Sequence, residues 1–167
     1  MDDRRLLIAM RRGSDRAARR LLELHAPAMA AAARAALPPR DGRADDAVQQ
    51  VLLAILDRPA REVRAIEDVR AYLCRAARHA ALNLARADTR RRARDRDHPP
   101  AARGVPERDP ELTLAIDALG PEHREVILLR TSPALTFDQI ALATDLPRST
   151  VASRHAAAID RLRRTSP

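Results

Sequence analysis

The chain has 167 residues, a formal net charge of +8 and an isoelectric point near 11.3, so it can form one sizeable domain or two small ones, and polyanions are the expected partners. All 31 basic residues are arginine, the aromatic residues are Tyr72 and Phe137 alone, and Cys74 is the single cysteine. That composition excludes an intramolecular disulfide and leaves any core to Leu, Ile, Val and Ala.

The first predicted helix covers Asp2 to Arg12, with Leu6, Leu7 and Met10 on one side. Gly13-Ser14 ends it, and Ser14 is placed to cap a second helix running toward Leu37 through Ala17, Leu21, Leu24 and Ala28. Pro27 falls inside that helix and is expected to kink or split it. After a loop at residues 38–42, a third helix starts at Asp45 or Asp46, with Val48, Val51, Leu52 and Ile55 as its apolar positions. Asp57 to Ala65 reads as a loop. Glu67-Asp68 then opens a long fourth helix carrying Val69, Leu73, Ala76, Ala77, Ala80 and Leu84.

From Ala93 to Asp109 the sequence is rich in Arg, Asp and Pro and has no apolar periodicity, as expected of a flexible linker. Leu112, Leu114, Ile116 and Leu119 begin a second helical unit, and the helix opened by Gly120-Pro121 turns Val126, Ile127 and Leu129 inward. Pro133 to Arg164 reads as two helices joined by a tight turn. Thr136 caps the first, Asp145 suits a left-handed turn, and Pro147 sits at the mouth of the second, where a missing N–H costs nothing. Val151, His155, Ala158 and Leu162 form the inward stripe of that second helix, and Arg148, Ser149, Ala152, Ser153 and Ala156 point outward, the pattern of a helix-turn-helix that reads a major groove. No stretch alternates as a strand does. The predicted fold is all-α, with a first domain over residues 1–92, a linker over 93–109 and a second domain over 110–167.

The motifs TFDQIA and LPRSTVASR resemble region 4 of the extracytoplasmic-function group of bacterial sigma factors, whose pattern is S-Y-E-E-I-A followed by G-[IV]-P-x-G-T-V-[KR]-S-R. Upstream, ADDAVQQVLLAIL resembles the A-E-D-L-V-Q-E-x-F-L-x-x-W of region 2. VRAYLCRAARHAALNLAR is similar to F-x-x-W-L-x-R-I-A-R-N-x-A-L-D-x-L-R, and LGPEHREVILLR to the segment that opens region 4. The four segments occur in the family's order and cover most of the chain.

The resemblance implies a sigma factor that binds core RNA polymerase and directs promoter recognition and transcription initiation, with no catalytic residues, metal or cofactor. It places Asp45, Asp46, Gln49, Gln50 and Leu53 on the polymerase-binding helix. Tyr72, Arg75, Arg78, His79, Asn83 and Arg86 fall on the surface that meets the minus-ten element, and Arg124, Arg148, Ser149, Thr150, Ser153 and Arg154 on the one that meets the minus-thirty-five element. Promoter DNA and an anti-sigma factor are the further expected partners, with no small-molecule substrate. Between Glu67 and Asp97, nine arginines face five carboxylates, which suits phosphate contact.

Several positions depart from the family pattern. Tyr72 stands where Trp is common, His79 replaces Asn, and the segment from Asp57 to Ile66 lacks the usual Phe. Unpaired bases stack on aromatic side chains, so these changes bear on strand opening. Ala152, Ala156 and Ala157 replace residues that are commonly basic, leaving Arg148 with most of the charge at the helix entrance, while His155 lies on the inward stripe as a core residue. There is no Gly-rich phosphate loop, and Cys74 and the five histidines lack metal-ligand spacing. No secretory leader and no membrane-spanning run are recognised, so a cytoplasmic protein is expected. The alternatives are a stand-alone helix-turn-helix regulator, a sigma-like protein that binds polymerase without opening DNA, and an Arg-rich nucleoid or RNA-binding protein.

Overall fold

In a computed structural model the described residues are 2–39, 41–94, 110–131 and 134–165. Local capping chemistry sets several of the helix starts. Asp2 accepts from the backbone N–H of Arg4 at the start of α1 (Asp3–Arg11), and Ser14 Oγ accepts from Ala17 N–H, 3.3 Å away, at the start of α2 (Asp15–Ala36). After α3 (Ala44–Asp57) and the short α4 (Ala60–Arg64), Asp68 Oδ1 accepts from Ala71 N–H at 2.8 Å and so caps α5 (Val69–Arg94). The C-terminal helices are α6 (Pro110–Asp117), α7 (Pro121–Thr131), α8 (Phe137–Thr144) and α9 (Arg148–Thr165). Among the described residues there is no strand, and no helix is long and apolar enough to cross a membrane.

The first core lies among α1 to α5. Leu6, Leu7 and Met10 meet Leu21 and Met29 of α2, Val51 and Ile55 of α3, and Leu73 and Ala77 of α5. A second core is built from both ends of the chain. Ala28, Ala32 and Ala35, one stripe of α2, join Cys74 of α5 against Val126, Leu129, Leu135, Ile140, Ala143 and Val151. Small side chains on α2 let a neighbouring helix approach closely, so α2 packs on α5 through one face and on α7 through another. Leu119, Ile127 and Ala158 close a smaller cluster where α7 meets α9.

Three expectations are corrected. Pro27 does not split α2, which runs unbroken through it. The lost hydrogen bond is offset by burial of nine side chains along the helix, six of them between Ala28 and Ala35 in the close-packed C-terminal half. The loop expected from Asp57 to Ala65 contains α4, held by the fully buried Val63. The fourth predicted helix, α5, reaches Arg94, two residues into the expected linker, and residues 95–109 lie outside the described residues. The two halves that flank this segment share the second core.

His25 is buried on α2 with Nε2 3.1 Å from Asp3 Oδ2. Burial lowers its pKa from 6.5, against the opposing pull of the Asp3 carboxylate. Below pH 6.5 the unfolded chain therefore binds more protons at this site than the native one. The stabilisation is present above that pH, declines as pH falls through 6.5, and is lost once pH drops below the lowered native value. His25→Leu should flatten this part of the stability profile, measured by chemical denaturation between about pH 7 and pH 5; an unchanged slope would show that His25 does not contribute to it.

Candidate nucleic-acid and protein interfaces

The helix-turn-helix is fixed by three local devices. Thr136 and Gln139 form a capping box: Thr136 Oγ1 accepts from Gln139 N–H and Gln139 Oε1 from Thr136 N–H, each at 3.1 Å. Asp145 ends α8 in the left-handed region at φ 59°, one of the few non-glycine types suited to it. Leu146 N–H then donates back to Ala141 O, and Pro147 O accepts the first bonds of α9, from Thr150 and Val151. Val151 and Ala158 are buried on the inner face of α9, and His155 is half-buried edge-on to Phe137 with ring centres 5.3 Å apart. Burial, with Arg130 nearby, lowers the His155 pKa from 6.5.

The outward face of α9 carries Arg148, Ser149 and Ser153, all exposed, beside the half-buried Thr150 and Arg154. Arg148 Nε lies 3.0 Å from Asp138 Oδ1 and Arg154 Nη2 3.4 Å from Glu122 Oε2. Guanidinium and hydroxyl groups at the start of an exposed helix match base edges and phosphates in a major groove. Arg124 does not join this face, contrary to its sequence assignment. It is buried, with Nη1 donating to the carbonyls of Arg34 (3.4 Å), Ala35 (3.5 Å) and Leu37 (3.1 Å), and Nε donating to Asp117 Oδ1 at 3.1 Å. The unpaired carbonyls and negative dipole end of α2 hold the guanidinium there.

A second polar surface runs along α5. Arg75, Arg78, His79, Asn83 and Arg86 recur at helical spacing, with Arg75, His79, Asn83 and Arg86 exposed. Tyr72 is half-buried under the Arg58 guanidinium, 5.4 Å from its ring centre, and burial raises its hydroxyl pKa. The C-terminal half meets the middle of this surface. Arg78 donates from Nε to Glu125 Oε1 (2.6 Å) and from Nη2 to Glu125 Oε2 (3.3 Å), Arg75 Nη2 lies 2.7 Å from Asp145 Oδ1, and His79 Nε2 lies 3.5 Å from Asp145 Oδ2. Gln139 Nε2 donates to Asp68 Oδ2 at 3.1 Å, so one amide serves the α8 cap and reaches the α5 cap. Sequence reading missed Glu125, Gln139 and Asp145 as the groups that reach α5 from the C-terminal half.

The third surface is the outer face of α3, where Asp45, Asp46, Gln49, Gln50 and Leu53 are all exposed over the buried Val48, Val51 and Ile55. Leu53 is 64% exposed and Leu56 44%, an apolar seam rimmed by carboxylates and amides. Such a rim suits a reversible protein contact.

Residues 115–164 match the family model of sigma-70, region 4. The fold is similar to that of the sigma factor RpoE in complex with the anti-sigma factor NepR from Bartonella quintana (20% identity, TM-score 0.66, covering 88% of this chain and 94% of that one). It is also similar to CnrH in complex with the cytosolic domain of CnrY (25% identity, TM-score 0.63, covering 96% and 95%). Among curated proteins, none matches the chain.

Because Arg124 satisfies α2 carbonyls from within the buried seam, Arg124→Ala should destabilise the protein by about 2 kcal/mol. The shift in denaturant midpoint measures it; a loss below about 0.5 kcal/mol would mean that water replaces the guanidinium without cost.

Proposed function

We propose how this chain, a sigma factor of the extracytoplasmic-function group, divides promoter recognition among its three exposed surfaces. The observation that carries the reading is the region 4 match over residues 115–164, lying on a helix-turn-helix with a left-handed Asp145 and an exposed Arg148-Ser149 entrance. Residues 1–92 act as region 2 and residues 110–167 as region 4, tethered through 93–109. The face of Asp45, Asp46, Gln49, Gln50 and Leu53 docks on core RNA polymerase. The α5 surface of Tyr72, Arg75, Arg78, His79, Asn83 and Arg86 meets the minus-ten element, and Arg148, Ser149, Thr150, Ser153 and Arg154 meet the minus-thirty-five element. An anti-sigma factor is the expected antagonist, in keeping with the partner named for RpoE. The protein works in the cytoplasm by recognition and carries out no bond-breaking step of its own.

Arg148 has the reach to read a base edge, whereas the α5 arginines face a strand only after it unpairs. The scarcity of aromatics favours a second reading, a sigma-like protein that binds polymerase but opens DNA poorly: Tyr72 is the one aromatic of the N-terminal half and it is already stacked with Arg58.

Run-off transcription with purified core polymerase on genomic fragments tests the main reading. Discrete transcripts should appear only with this chain present; polymerase binding without any transcript would favour the second reading, and neither would refute both. Asp46→Arg combined with Gln49→Ala should weaken core binding while leaving helicity intact, since both side chains are exposed. Arg148→Ala should cost upstream duplex binding about 1–3 kcal/mol and relax the preference at one base pair if Arg148 reads a guanine. A loss spread evenly over sequences, with a shallower salt dependence, would mark it as a phosphate contact.

A further inference from the structure

The arginines differ in what they already hold. On α5 and α9, Arg75, Arg78, Arg148 and Arg154 each face a carboxylate. On the N-terminal half of α2, Arg16 and Arg19 are exposed and, among the described residues, neither has a carboxylate partner. They line a groove of about 440 Å³ between α1 and α2, together with Leu6, Arg20, Glu23 and Leu24. Leu6, buried on α1, forms its floor, and Leu24 is 40% exposed. Arg20 lies 3.1 Å from Glu23 in a solvent-exposed pair, which holds it only weakly. Three guanidiniums therefore face one carboxylate over an aliphatic floor. None of these residues belongs to the three surfaces assigned above to polymerase and promoter DNA.

We propose that this groove is a docking site for an acidic, leucine-bearing segment of a protein partner other than polymerase. Carboxylates fit the guanidinium forks of Arg16 and Arg19, and an aliphatic side chain fits between Leu6 and Leu24. Arg16, Arg19 and Arg20 stand at i, i+3 and i+4 on one face of α2, with Leu24 one turn further along. From Arg16 to Leu24 the helix rises about 12 Å, so the occupant carries its acidic and apolar groups about two turns apart. A nucleic acid strand suits the groove less well. No aromatic ring lines it for a base to stack on, and phosphates make no use of leucine. Glu23 competes with the incoming carboxylate for Arg20. The partner and the promoter use different faces, so the chain holds both at once.

The probe is a fluorescent amphipathic peptide of about 12 residues with glutamate at i, i+3 and i+4 and leucine at i+8. Its binding to the full chain, read by fluorescence anisotropy, should weaken about tenfold in Arg16→Gln with Arg19→Gln and tighten about threefold in Glu23→Gln. Arg163→Gln with Arg164→Gln removes the same charge in the last turn of α9 and should change the affinity less than about twofold. Leu24→Ala should weaken the leucine peptide about fivefold and leave a peptide with alanine in its place unaffected. All these side chains are exposed, so the variants keep the fold.

Equal losses in the groove and α9 variants would mean that the peptide answers only to net charge, and would overturn the site. An equal effect of Leu24→Ala on both peptides would overturn the leucine seat. A random-sequence single-stranded oligonucleotide that displaces the peptide, and itself binds less well to the groove variant, would assign the groove to nucleic acid and overturn the peptide reading. These measurements need no polymerase, so their failure leaves the sigma-factor assignment standing, and failure of run-off transcription leaves the groove standing.

Discussion

The structure depends on a two-sided use of α2. One of its stripes, Ala17, Leu21, Met29 and Ala33, belongs to the core with α1, α3 and α5; another, Ala28, Ala32 and Ala35, belongs to the core with α7 and α8. A helix that is apolar on more than one side must be covered on more than one side. The alanines matter because they allow neighbouring backbones to approach without large side chains to interlock. The resulting seam is shallow, and polar groups supply much of its specificity.

Those polar groups act by position as much as by energy. Arg124 terminates α2 from a helix 87 to 90 residues away in sequence. Gln139 bonds within its own cap and across to Asp68. Asp145 shapes the turn between α8 and α9 and faces Arg75 and His79. Each residue ties the local geometry of one half to the placement of the other, so a change at the seam is felt in the helix-turn-helix as well.

Much of this was legible in the sequence where the cause is local. The Thr136 cap, the left-handed Asp145, Pro147 before α9 and the buried Val151/Ala158 stripe all follow from residues within four positions of one another. The exposed α3 face follows from its periodicity. The seam was not legible, because Arg78 and Glu125 lie 47 residues apart and neither declares its partner. Arg124 looked like a DNA contact because charge alone does not reveal burial. Pro27 was weighed as a helix breaker when packing outweighed one missing hydrogen bond, and α4 hid in a polar stretch whose one buried anchor is Val63.

The arginines of the two surfaces proposed to meet DNA already hold carboxylates: Arg75 with Asp145, Arg78 with Glu125, Arg148 with Asp138 and Arg154 with Glu122. When a phosphate takes such a guanidinium, the released carboxylate is left to attract a cation from solution. Counterions leave the nucleic acid while others gather on the protein, and the two movements partly cancel. The ionic-strength dependence of binding then understates the number of phosphates touched, and the chain keeps more of its affinity in a concentrated electrolyte than its count of arginines implies.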